Sequence, residues 1–216
     1  MQTRYKLLVS PQTYELENFY REIISYTVNF DGTLDRGQDY SVFDLYIPDE
    51  FHIQPGKTKL IDYSVKLKMI KIESVLDNDN NVNLITSETG YGLYPKLSIS
   101  KTPLFIANSV HVIDKNYRGN IICPFHHLLD TQKVIDIINV EKKIKTDNNE
   151  IINQFNDLNK YTIKKNSRLI QVCAPGFSTF EVELVSLNNF GSQTFMDSTS
   201  STISSRGADG LSSTES

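Results

Sequence analysis

No apolar run in the chain approaches the roughly 18 residues that a membrane-spanning helix needs. The opening MQTRYKLLVS has neither the sustained apolar stretch nor the small-residue cleavage site of a secretory signal. A membrane partner is therefore not expected. Positive charge is not in excess either: 22 Lys and Arg stand against 26 Asp and Glu, a net charge of −4. That balance argues against a non-specific nucleic-acid binder, whereas a nucleotide, which needs only a few cations, stays open. Cysteine is scarce. Cys123 and Cys173 both lie in apolar strand-like runs, NIICPF and LIQVCAP, which fits two buried free thiols of an intracellular protein. No C-x-x-C or Cys/His ligand spacing exists, and the adjacent His126 and His127 would point to opposite faces of a strand, so a structural metal site is not expected.

What is present is a β-rich pattern. With 216 residues, 39% hydrophobic and 22% charged, the chain is long and apolar enough for one domain with a packed core and appendages. Residues 11–25, PQTYELENFYREIIS, suit a short N-terminal helix or an irregular arm. From about residue 40 the segments are short and rich in β-branched and aromatic residues: YSVFDLYIP, KTKLIDYSVKLKMIKI, VNLIT, YGLYP, FIANSVHVID and GNIICPF. Turn residues separate them (IPDE, QPGK, LDNDNN, SKTP). Strands without interleaved helices predict an all-β sandwich or jelly roll. LDNDNNVN, 76–83, reads as a polar loop that lengthens a hairpin. Residues 130–166, rich in Asn, Lys and Ile, read as an exposed insertion, its Val134–Ile138 run allowing strand or helix. The Asn content is read as compositional bias, not as a signal of function. Beyond the strand-like FEVELV, the Ser/Thr/Gly-rich 187–216 reads as a flexible tail, yet it carries RGADGLSST near its end. VIDKNYRG, 112–119, is ambiguous by itself: a hairpin turn explains Asp114, and so does a carboxylate facing a substrate.

Five segments in order resemble the motifs of the trimeric dUTPase (dUTP nucleotidohydrolase) family: SVFDLYIP, YPKLSISKTPLFIANS, HVIDKNYRGNI, NSRLIQV and SRGADGLSST. Each match is weak alone; their shared order makes the resemblance specific. It implies an all-β, dUTPase-like distorted jelly roll (β-clip) spanning 40–186, an N-terminal extension over 1–39, and a flexible C-terminal arm over 187–216. It also implies a homotrimer in which motifs one, two and four come from one subunit, motif three from a second, and motif five from a third.

The activity implied is hydrolysis of dUTP, or a related deoxynucleotide, to the monophosphate and pyrophosphate with Mg²⁺. Asp114 matches the family's water-activating carboxylate and Tyr117 the ring beneath the deoxyribose. Asp44 matches the carboxylate that reaches magnesium through water. Lys96, Ser98 and Gln171 match positions near the phosphates, and Arg206, Leu211, Ser213 and Thr214 match the arm that closes over the nucleotide. Arg118 matches a structural position at the subunit interface.

Several positions depart from the family pattern. Lys96 replaces an Arg and loses its bidentate fork. Leu97 replaces a phosphate-contacting Ser, with Ser98 one residue on as a substitute. His111 replaces a Gly beside the base, Ser167 an Asp that accompanies Arg168, and Leu211 a stacking Phe; Asp209 and Ser212 replace glycines. Two readings follow: a working dUTP diphosphatase, or a dUTPase-fold trimer of reduced or lost activity with a binding, regulatory or structural role. A dCTP-acting relative is a variant of the first. An intracellular location, cytoplasmic or nuclear, is expected, and the Asn/Ile/Lys bias fits a virus in an infected host.

Overall fold

The computed structural model describes residues 2–25, 40–132, 135, 152–153, 156–157, 159–186 and 190. The architecture is all-β and jelly-roll-like. Among the described residues there are thirteen strands and one α-helix, and apart from the β5–β6 hairpin the strands pair with partners that are not their neighbours in sequence.

The largest sheet has the order β13-β1-β5-β6, from β13 (Phe180–Leu184), β1 (Gln2–Pro11), β5 (Val65–Leu76) and β6 (Val82–Thr89). β1 lies parallel to β13 and antiparallel to β5, inserted between them. RYKLLV was not separated from the N-terminal arm in the sequence, because a central strand covered on both faces loses the alternation that marks a half-buried one. Leu7 and Val9 join the main core on one face, while Leu8 joins a smaller cluster on the other. The chain then enters helix α1 (Tyr14–Ser25), where the Thr13 hydroxyl accepts the Leu16 N–H at 3.2 Å as a cap. α1 drives Leu16 and Tyr20 into the core, and the Tyr20 hydroxyl accepts the Tyr46 N–H at 3.1 Å.

A second four-stranded sheet, β2-β12-β7-β9, carries the motif residues. It contains β2 (Phe43–Tyr46), β12 (Arg168–Cys173), β7 (Tyr91–Pro95) and β9 (His111–Ile113). Two small sheets complete the fold: β4-β10-β8, from β4 (Thr58–Asp62), β10 (Ile122–His127) and β8 (Leu104–Ile106), and the pair β11-β3, from β11 (Tyr161–Ile163) and β3 (Phe51–Ile53). β11 lies within the span read as an insertion, and most of the rest of 133–158 lies outside the described residues.

The polar run read as a loop over 76–83 closes the β5–β6 hairpin, with Leu76, Val82 and Asn83 taken into the strands. Asp77 Oδ1 accepts the N–H groups of Asp79 and Asn81 at 2.9 and 2.8 Å. Cys123 and Cys173 are both free and buried, and burial pushes the Cys123 thiol up to about 12. Among the described residues no helix is long and apolar enough to cross a membrane.

Candidate functional site

The register of the second sheet aligns three motif segments. Gln171 on β12 stands opposite Asp44 on β2 and, on its other side, opposite Tyr94 on β7. Because side chains alternate along a strand, Phe43, Leu45, Ile170, Val172, Tyr91 and Leu93 fill the core and leave Asp44, Gln171 and Tyr94 on the half-exposed face. The pairing shifts between Arg168 and Ile170, so Leu169 and Ile170 are both buried in succession. Such a bulge re-aims the residue before it. Arg168 accordingly reaches Asp44, its Nη1 donating to Asp44 Oδ2 at 3.4 Å.

Lys96 donates to that same oxygen at 2.5 Å. Its position is fixed from β12, because the Lys96 N–H donates to the Leu169 carbonyl at 2.8 Å. Ser98 follows, in the 3-10 turn Leu97–Lys101, and its hydroxyl donates to the Arg168 carbonyl at 3.2 Å. The structure therefore gathers Asp44, Lys96, Ser98 and Gln171 into one cluster, built from β2, the β7 exit and β12. Arg168, which follows the uncharged Ser167, pairs with Asp44.

Two cations on one carboxylate leave a local excess of positive charge, suited to an anion. Asp44 Oδ1 is buried without a hydrogen-bond partner. Leu97, by contrast, is 85% exposed and points no donor into the cluster. Among the described residues no group of three or more His, Cys, Asp and Glu side chains is placed to hold a metal ion.

The third motif lies at the other edge of the same sheet. β9 is separated from β2 by β7 and β12, which at the usual strand spacing is roughly 14 Å. Past β9 the chain turns: Asp114 Oδ1 accepts the Asn116 N–H at 2.8 Å and its carbonyl accepts the Tyr117 N–H at 3.0 Å. Asp114 is thus both exposed and the organiser of its own turn. The Tyr117 hydroxyl donates to the Asn120 carbonyl at 2.7 Å, which folds the ring back across Gly119. A Cβ on Gly119 would come within 2.5 Å of that hydroxyl, a physical reason for the Gly of Tyr-Arg-Gly. Partial burial, with Asp62 nearby, raises the Tyr117 pKa and keeps the phenol protonated.

Arg118 braces this turn from within the chain. It donates to the carbonyls of Lys115 and Tyr117 at 2.8 and 3.1 Å and pairs with Glu88. Glu88 in turn pairs with Lys68 at 3.0 Å, a lysine only 6% exposed. His111 stands opposite the buried Leu93, which turns its imidazole to the core side of β9, away from the face of Asp44 and Gln171. Desolvation lowers its pKa, and its Nδ1 is buried without a partner.

Glu88, Lys68 and Gly90 were not legible as site residues, since no spacing in the sequence connects them with motif three. Gly90 is the most telling: a Cβ there would lie 2.9 Å from the Ile113 carbonyl oxygen, immediately before Asp114. Gly90→Ala should lower stability by about 1–3 kcal/mol, the usual cost of overpacking. Amide exchange at Asn116 and Tyr117 should accelerate with it, as the turn is pushed away; unchanged exchange in a destabilised variant would show that β7 yields instead. Arg206, Leu211, Ser213 and Thr214 lie outside the described residues.

No protein-family model and no curated protein sequence matches the chain. Among solved structures, it is similar to the native dUTPase of EIAV at 17% identity and a TM-score of 0.36, covering 64% of this chain and 78% of that one. It is also similar to the dUTPase of Streptococcus mutans at 14% identity and a TM-score of 0.37, covering 69% and 84% respectively.

Proposed function

We propose that the chain is a dUTP diphosphatase-like hydrolase, cleaving dUTP to dUMP and pyrophosphate as a homotrimer. The observation that carries this reading is the convergence of Asp44, Lys96 and Gln171, from three separate motif-like segments, on one cation-rich patch. Motif three sits at the far edge of the sheet, which suits a site completed between subunits. Lys96, Ser98, Gln171 and Arg168 would bind the triphosphate, with Arg206, Ser213 and Thr214 of the arm adding donors and Leu211 covering the base.

Hydrolysis needs water delivered in line to the α-phosphorus, a base to take its proton, and cations to offset the charge that moves onto pyrophosphate. Asp114 is the base. Tyr117, held by Asn120, offers a fixed ring edge beneath the sugar. Asp44 is the residue that would hold magnesium, which when bound would supply positive charge against the triphosphate. Asp44 fits contact with its water shell more than direct coordination, since Oδ2 already carries two cationic partners and Oδ1 is shielded.

A second reading has its own support. The exposed Leu97 and the engagement of Lys96 by Asp44 weaken the grip on phosphate, as in a scaffold that binds nucleotide without efficient turnover. Binding is tested by thermal unfolding with Mg²⁺ and a non-hydrolysable dUTP analogue. At a hundredfold excess over Kd the stabilisation should be about 2.7 kcal/mol. No shift at millimolar analogue would remove nucleotide binding altogether, and a shift with the dCTP analogue alone would reassign the base.

A further inference from the structure

Where β12 ends, the chain makes a tight turn, Pro175–Phe177. The Phe177 and Ser178 N–H groups close it by donating to the Ala174 and Pro175 carbonyls at 3.1 and 3.3 Å. Two successive residues of this turn are left-handed, Gly176 with φ 64° and Phe177 with φ 54°. Glycine takes that conformation freely, whereas the Cβ of a phenylalanine is crowded in it. Burial does not offset the strain, since Phe177 is 63% exposed. Its ring centre lies 5.4 Å from that of Tyr94, with the two planes tilted by 48°. A strained residue that keeps its side chain in solvent points to a ligand rather than to packing.

The place of the two rings says which ligand. Tyr94 stands opposite Gln171, and Gln171 opposite Asp44, so the rings share the half-exposed face of the sheet with the cation-rich patch. The Tyr94 ring folds back along β7 over Gly92, where a Cβ would come within 2.5 Å of it. The same face continues into Val112, 79% exposed, which stands opposite Gly92 on β9. An aromatic floor thus lies two strand spacings, about 10 Å, from Asp44 and the cations on it. We propose that Tyr94 and Phe177 form a platform on which the base of a phosphorylated nucleoside stacks while its phosphates meet Lys96 and Arg168, a role that rests on the nucleotide reading above. Stacking engages the flat face of a base and not its edge, so the platform adds affinity and leaves base choice to other groups. The turn bonds and the Tyr94 contact hold the Phe177 ring in place before a ligand arrives, which keeps the ordering cost of binding low.

The test compares two ligands on the full chain with Mg²⁺: the non-hydrolysable dUTP analogue, and inorganic tripolyphosphate, which has no ring. Phe177→Asn removes the aromatic ring and puts in a residue that tolerates the left-handed backbone. It should weaken the analogue about ten- to a hundredfold, the usual worth of one stacked base, and leave tripolyphosphate within about twofold. The thermal midpoint of the free variant should be no lower than that of the parent chain, and Phe177→Tyr should bind the analogue as the parent does. Equal affinity of the parent chain and Phe177→Asn for the analogue would overturn the platform while nucleotide binding stands. So would an equal loss for both ligands, or a change of oligomeric state in light scattering, either of which would make Phe177 a packing or subunit contact. Binding of neither ligand by the parent chain would remove the nucleotide reading and the platform with it.

Discussion

Glu88→Ala should cost about 3 kcal/mol or more, because it strips two cations of one partner and one of them is buried. The Lys68 side chain is 6% exposed, and its ammonium pairs with Glu88 Oε1 while Arg118 takes Oε2. Among the described residues Glu88 is the carboxylate paired with Lys68, and Phe190 over the ammonium supplies only a cation–π contact. A urea titration reads the loss directly. The double variant Glu88→Leu with Lys68→Met should recover most of it, since apolar residues tolerate this environment better than an unpaired ammonium. For contrast, Glu183→Ala, which leaves the part-exposed Lys6 with Glu181 at 3.9 Å, should cost less than about 1 kcal/mol. Equal costs for the two glutamates would show that Lys68 finds another partner or reaches water.

Asp114→Asn should lower the rate of pyrophosphate release about a thousandfold, within the range general-base catalysis supplies. The substitution is chosen because its local structure should survive. The asparagine oxygen can still accept the Asn116 N–H that Asp114 Oδ1 now holds, so the turn and Tyr117 stay in place. The dUTP analogue should therefore stabilise the variant as it does the parent chain. Loss of both activity and stabilisation would instead make Asp114 a turn residue whose removal disorders the site.

The pattern of residues from Phe43 onward announced its strands because most are half-buried, and alternation survives where one face meets water. β1 escaped notice for the opposite reason, as Leu7, Leu8 and Val9 are all wholly buried in sequence. The candidate site divides in a similar way. Asp44, Lys96, Ser98 and Gln171 were named from short motif-like segments, and the sheet register that unites them depends on pairing β12 with β2 and β7, strands far away in the chain. Arg168 reaches Asp44 beside a bulge, which no local pattern announces. Glu88 and Gly90 act on the Asp114 turn through tertiary contacts alone, a part-buried ion network and a backbone approach. His111 shows what strand pairing adds to a linear reading: opposite the buried Leu93, its imidazole lies on the core side of β9.

The most direct measurement is pyrophosphate release from dUTP and Mg²⁺ by the purified full chain, with Asp114→Asn beside it. The account predicts turnover by the parent chain, a near-complete loss in the variant, and a preference for dUTP over dCTP. Release no greater from the parent chain than from Asp114→Asn would contradict it.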